Sequence, residues 1–277
     1  MAAKLFGLDI GRSFIKVAQV ENRGGKKFLT AASLVATPGG GIQSESAVDL
    51  SKVSDSIGSC CQAAKIQADK CVVSLIESQV ISRLIQLPPL TDKELAAAIK
   101  WEAEQYIPLP IRDVFLHYQV VSKPGSGEQG GKMDVLLVAV PKRVVEKYLN
   151  IVKNAGLRAL AMETESAALV RSLTQSGDPP TLIVSMGALS TELVVAQDGH
   201  ILFTRSIASG GATLTRAIIA EFNLPQKQAE EYKEAYGILE DKLSGKVAAL
   251  LKPILDIVIT EVLKAIEFYH SHHSEGA

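Results

Sequence analysis

Cysteine is scarce in this chain: Cys60, Cys61 and Cys71 are the only three among 277 residues. An odd count argues against a closed disulfide framework, and their spacing fits no metal centre. The simple reading is a reduced, cytosolic interior. Net charge is also near zero, at −1, with acidic and basic side chains dispersed and not gathered in blocks. That leaves nothing to favour nucleic acid or an acidic membrane surface. No stretch approaches the ~20 continuous apolar residues that a membrane helix needs. The opening MAAKLFGLDI enters a strand at once and lacks the layout of a secretory signal. No Ser/His/Asp or Cys/His set is recognisable. The run SGEQGGK, residues 126–132, is not a phosphate loop, because its spacing is wrong and Met133 follows the lysine. His270, His272 and His273 read as a frayed polar tail. If the protein works at a membrane, another molecule must hold it there.

What is present is a 47% apolar composition, enough to bury a large core across two lobes. A short apolar strand in residues 5–10 runs into Asp9-x-Gly11, turns through Arg12 and Ser13, and leaves as a second strand. Residues 182–195, LIVSMGALSTELVV, repeat the layout, with Gly187 in the place of Gly11 and Ser190 and Thr191 after it. A glycine at such a turn lets backbone N–H groups come close to phosphate oxygens. Asp9 would then hold Mg²⁺ through water. The alternative for each unit is an ordinary tight turn between strands. Ser185 stands where the second carboxylate would be, and a serine neither holds a hydrated cation nor polarises a water as a carboxylate does. Lys16 is read as a solvent-facing residue of the outgoing strand and not as a phosphate ligand.

Elsewhere the chain alternates strands and helices. Gly24-Gly25 is a hairpin turn, a helix is expected over residues 51–65, and residues 72–76 form a buried strand. Residues 79–157 change character. A strand ends at Pro88-Pro89, and Thr91-x-x-Glu94 is a capping box for a helix reaching Tyr106 with Leu95, Ile99, Ala103 and Tyr106 on one face. Two strands, 115–121 and 134–140, flank a glycine-rich connector, and a helix over 141–155 ends at Gly156. Helices are expected over 163–175, 213–222, 226–236 and 247–270, with Asp198-Gly199 another hairpin turn. Gly210-Gly211 before a helix either presents N–H groups to an anion or simply starts the helix. Glu230 and Lys233 on the following helix would ordinarily be a solvated face.

GLDIGRSFIKV (7–17), KWEAEQYIPLP (100–110), LLVAVPKRVVEKYLNIVKNAGL (136–157), ETESAAL (163–169), FTRSIASGGATLTRAI (203–218) and AEEYK (229–233) together resemble the PilM family of type IV pilus assembly, and more distantly FtsA. The EAEQYIP run is the most specific of these. The resemblance implies an α/β, actin-like ATPase (ribonuclease H-like) fold of two lobes, with residues 1–78 and 158–277 as core and 79–157 as an inserted 1C subdomain. It also implies that the end of the fold is missing after residue 277. It further implies cytoplasmic binding of ATP and Mg²⁺, with Asp9 at the metal and Asp9, Gly11, Arg12, Ser13, Gly187, Ser190, Thr191, Gly210, Gly211, Glu230 and Lys233 around the nucleotide. Glu230 and Lys233 would reach ribose and adenine. The implied partner is the cytoplasmic amino-terminal peptide of a PilN-like inner-membrane protein, in a groove between core and 1C. Trp101, Tyr106 and Ile107 either line such a groove or pack in the core. The expected function is a nucleotide-binding scaffold of pilus assembly, peripheral to the inner membrane, without catalytic residues of its own. The alternatives are an actin-fold ATPase or small-molecule kinase, which Ser185 disfavours, and an FtsA-like filament.

Overall fold

The computed structural model describes residues 5–123 and 131–272. Residues 126–130 of the glycine-rich connector, the opening MAAK and His273 lie outside the described residues. The chain divides into two compact units, Met1–Gln175 with Gly199–Phe203, and Ser176–Asp198 with Thr204–Ala277.

The first unit begins with strand β1 (Leu5–Ile10), where Phe6, Leu8 and Ile10 are buried and alternate with less covered residues. Period-two burial of this kind is what a sheet facing a core on one side imposes. Strands β2 (Phe14–Arg23) and β3 (Lys26–Ala36) follow, joined by Gly24 and Gly25 at φ +61° and +80°. Two successive positive φ values suit a hairpin turn, and only glycine adopts them without strain. Helix α1 (Ala47–Ala63) buries Val53, Ile57, Cys60 and Cys61. Strand β4 (Lys70–Leu75) then enters the sheet parallel to β1.

A second sheet of this unit holds β5 (Ile81–Leu87), β6 (Val114–Ser122) and β7 (Met133–Pro141), in the order β5-β7-β6. Helix α2 (Asp92–Tyr106) packs Leu95, Ile99 and Ala103 into the same core as Val135, Leu137 and Ala139 of β7. The capping box forms: the Glu94 carboxylate accepts from Thr91 N at 2.8 Å, and Thr91 Oγ1 accepts from Glu94 N at 3.4 Å. Such a cap contributes about 1 kcal/mol. Helix α3 (Lys142–Asn154) returns to the first core through fully buried Tyr148, whose hydroxyl accepts from Ile76 N at 3.3 Å. Strand β8 (Arg158–Thr164) completes a five-stranded sheet, β3-β2-β1-β4-β8, before helix α4 (Glu165–Leu173).

The second unit carries β9 (Thr181–Met186), β10 (Thr191–Gln197) and, from Thr204 on, β11 (His200–Ile207). Helices α5 (Gly211–Phe222), α6 (Gln226–Tyr236) and α7 (Lys246–His272) share a core of Leu214, Ile218, Ala229, Val247 and Leu251.

Several boundaries depart from the sequence reading. Helix α1 starts at Ala47 and not at residue 51, with Ser46 in extended backbone before it. Residues 158–164 form a strand that the sequence reading passed over, and α4 starts at Glu165 and not at 163. On α2 it is Ile107, 5% exposed, that follows Ala103 into the core, while Tyr106 is exposed and Trp101 is 75% exposed. Ile107 is thus a packing residue, and the two aromatic side chains are not.

Candidate functional site

Each glycine turn holds a cluster in its own unit. In the first, Gly11 N donates to Phe14 O at 3.0 Å, closing the turn from β1 to β2. A Cβ on Gly11 would come within 2.9 Å of that same carbonyl, so the residue is glycine for close approach. Thr37 Oγ1 donates to Gly11 O at 2.8 Å, and Thr37 N donates to Ser13 O at 2.9 Å. Arg12 Nη1 donates to the carbonyl of Gly40. Arg12 and Ser13 are therefore anchored to the backbone that follows β3, with their side chains exposed.

Asp9 sits at the head of the turn with both oxygens engaged. Oδ1 accepts from Ser74 Oγ at 2.9 Å, and Oδ2 lies 3.0 Å from Lys16 Nζ. Lys16 does face outward, as read, but its charge is directed at Asp9. Ser74 was missed in the sequence. It stands opposite Asp9 in the parallel β1–β4 register, a placement that no local pattern announces. No three His, Cys, Asp or Glu side chains converge on a metal position among the described residues. Asp9 therefore fits a cation that keeps its water shell and takes its remaining ligands from phosphate, as Mg²⁺ commonly does.

The second cluster repeats the first turn closely. Gly187 N donates to Ser190 O at 2.8 Å, the same one-to-three-residues-on bond that Gly11 makes. Thr191 is fully buried, and its Oγ1 donates to Ser209 O at 2.7 Å. The start of α5 is laid directly on this turn: Gly211 N donates to Gly187 O at 2.9 Å and Ala212 N to Ala188 O at 2.8 Å. In this conformation those N–H groups serve the turn's own carbonyls.

Beside Gly211, Lys233 Nζ donates to Thr215 Oγ1 at 3.0 Å and pairs with the Glu230 carboxylate. Thr215 Oγ1 donates to Glu230 Oε2 at 2.6 Å. Glu230 and Lys233 are thus a linked pair on α6 and not two independent residues of a solvated face. Desolvation acts to raise the Glu230 carboxyl, but Lys233 and Thr215 outweigh it and hold it below the ordinary range. A lowered carboxylate adds stability above its unfolded pKa, and that stability is lost as pH falls through the lowered value. Thr215 went unremarked in the sequence, although it stands one helical turn beyond Gly211.

Glycine turns of the same form, each joining two antiparallel strands, recur on two sheets, the arrangement of the actin-like class. Solved structures agree in fold. EutJ, an ethanolamine utilization protein of Carboxydothermus hydrogenoformans, superposes with a TM-score of 0.56 at 15% identity, covering 95% of this chain and 71% of that one. MreB5 of Spiroplasma citri bound to AMPPNP does so with a TM-score of 0.51 at 14% identity, covering 96% and 79%.

Within that class, the sequence model of type IV pilus assembly protein PilM matches residues 7–276, and the chain belongs to this family. A PilM–PilN type IV pilus biogenesis complex superposes with a TM-score of 0.80 at 27% identity, covering 97% of this chain and 78% of the other. The cell division protein FtsA of Streptococcus pneumoniae serotype 2 (strain D39 / NCTC 7466) is 23% identical over 285 residues. The match covers 94% of this chain, which spans only 61% of FtsA.

Proposed function

We propose that the protein is a nucleotide-binding scaffold of type IV pilus assembly that recognises the cytoplasmic amino-terminal segment of a PilN-like membrane protein. Membership of the PilM family and the likeness to a PilM–PilN complex support the partner. The observation that carries the reading lies in the first unit. A groove of about 360 Å³ has Gln43, Gln79, Val80, Ile81, Arg143 and Val144 among its lining residues. Gln79 Oε1 is closed to solvent and has no hydrogen-bond partner among the described residues. A buried acceptor without a partner is unfavourable, and an extended peptide in the groove would offer it a backbone N–H once the Gln79 side chain turns outward. Residues 79–157 would be the inserted subdomain that forms one wall.

For the nucleotide, Asp9, Gly11, Arg12 and Ser13 would serve phosphate and cation in the first unit. Gly187, Ser190, Thr191, Gly210 and Gly211 would serve phosphate in the second, and Glu230 and Lys233 ribose and base. The supporting observations are the repeated turn and the Glu230–Thr215–Lys233 cluster next to it. Bound only to the folded chain, such a ligand stabilises it by linkage. No helix among the described residues is long and apolar enough to cross a membrane. The reading places the protein at the cytoplasmic face through its partner.

The test is calorimetric titration of a PilN-like amino-terminal peptide. Wild type should bind, and Gln79→Ala should bind about tenfold more weakly, the loss of one well-made hydrogen bond. Because that oxygen has no partner in the free protein, the variant should melt at the wild-type temperature. Absence of any peptide heat at high protein concentration would overturn the partner assignment.

A further inference from the structure

Sheet pairing leaves the far end of the β2–β3 hairpin on its own. The described pairing of β1 with β2 ends at Gly7–Ala18, whereas β2 and β3 stay paired out to Arg23–Lys26. The residues beyond Ala18 thus form a two-stranded ribbon outside the five-stranded sheet. The register shifts between Gln19 and Val20, and past this bulge the opposed pairs are Val20–Leu29, Glu21–Phe28, Asn22–Lys27 and Arg23–Lys26. Opposed residues share a face, and successive pairs alternate between faces. One face of the ribbon therefore carries Val20, Leu29 and Lys27, and the other Phe28, Arg23 and Lys26.

Val20, Phe28 and Leu29 are 51%, 44% and 66% exposed. A single exposed apolar side chain is ordinary, but three on one short ribbon form a patch that calls for a partner. Residues 19–31 hold three bases, Arg23, Lys26 and Lys27, and one acid, Glu21. That acid is already paired with Arg23 at 2.8 Å, and Arg23 also lies over the Phe28 ring, 5.7 Å from its centroid. Neither Lys26 nor Lys27 has an ion-pair partner among the described residues. Lysines on an edge strand commonly block unwanted strand pairing. That would account for the charge, but not for the apolar side chains left open beside it. A protein groove would cover one face and leave the apolar residues of the other in water. A layer of lipid headgroups surrounds both.

We infer that this ribbon seats on an anionic lipid bilayer, with Lys26 and Lys27 among the headgroup phosphates and Val20, Phe28 and Leu29 at the acyl boundary. The near-zero charge of the whole chain conceals such a site, because the acids that balance these lysines lie elsewhere in the sequence. The lipid contact goes beyond the partner proposed above: it is a second, direct hold on the membrane to which a PilN-like protein would bring the chain. Each cation near an anionic surface strengthens binding about fivefold. Two unpaired lysines therefore make a weak contact, which takes effect once the chain is already held close.

The experiment is co-sedimentation of the full chain with vesicles of phosphatidylcholine alone, or of phosphatidylcholine and phosphatidylglycerol in equal parts. No peptide is present, so the outcome is independent of the partner reading. Wild type should partition about twentyfold more strongly onto the anionic vesicles and lose that preference at high salt. Lys26→Glu/Lys27→Glu should remove the preference. Leu29→Gln, which leaves the charge unchanged, should bind the anionic vesicles about tenfold more weakly. Both variants alter exposed positions and should melt with wild type. Equal sedimentation of wild type with the two vesicle types would overturn the lipid assignment and leave the ribbon to a protein. A lysine variant that keeps the full preference would also overturn it. So would undiminished binding by Leu29→Gln, which marks adsorbed charge without insertion. Should either variant melt early, Lys27→Gln alone, expected to bind about fivefold more weakly, decides the charge, and Leu29→Thr, a strand-forming replacement, decides the insertion.

Discussion

Asp9→Asn should weaken Mg²⁺–ATP binding by about one to two orders of magnitude, the range seen when a charged group supporting a metal is removed, and leave binding in EDTA almost unchanged. The asparagine keeps an oxygen for Ser74 Oγ, which now donates to Oδ1 at 2.9 Å, so the β1–β4 contact survives. What disappears is the charge, and with it the partner of Lys16 Nζ. That pair is exposed on the lysine side, 58% against 28% for Asp9, and pairs of this kind contribute about 0–1 kcal/mol to folding. The variant should therefore melt close to wild type, and a lysine released beside the turn would favour free phosphate rather than oppose it. Calorimetry in the two buffers separates the effects. Unchanged affinity in Mg²⁺ would remove Asp9 from any cation position.

Gly210→Ala should be the most damaging single-methyl change in the second unit. Its backbone, at φ −151° and ψ −170°, is ordinary extended chain that alanine adopts freely. The obstacle is space: a Cβ there would stand 2.5 Å from Gly187 O and 2.8 Å from both C and O of Ala188. All three are backbone atoms, so no side chain can swing aside. Relief requires moving α5 off the turn, which breaks the bonds from Gly211 N to Gly187 O and from Ala212 N to Ala188 O. Two lost hydrogen bonds together with strain give about 2–4 kcal/mol, or roughly 5–10 °C in melting temperature for a chain of this size. Gly199→Ala is the control. Its φ is +77° with nothing within 4 Å of the new methyl, so only the left-handed backbone is penalised, at about 1 kcal/mol. If Gly210→Ala melts within a degree of wild type, the packing of α5 on the second turn is not as described.

Features set by neighbours in sequence were legible before the fold was known. Thr91 and Glu94 specify the start of α2 by themselves, and Gly24-Gly25 specifies a hairpin, because each is a local hydrogen-bonding or dihedral requirement. The doubled turn was legible for the same reason. Strand β8 was not. Its segment RALAMET has two alanines and no β-branched residue before Thr164, and it becomes a strand because β4 offers it a parallel edge from Lys70 to Leu75. The sequence offers Trp101 either a partner groove or the core; helical phase turns it to solvent while Ile107, one residue past the end of α2, fills the core.

The cysteines that opened the sequence have a practical consequence. All three belong to the first unit, with Cys60 and Cys71 fully buried and Cys61 9% exposed. Burial, reinforced by the neighbouring thiols, pushes Cys61 and Cys71 up to about 11. At neutral pH almost none of the reactive thiolate is present, and a reagent must wait for the surrounding β1–α1–β4 core to open. Alkylation of the unmodified protein is thus a clock for the opening of one unit alone, silent to whatever the other does. A ligand that slows the clock must tighten the half of the molecule that carries Asp9.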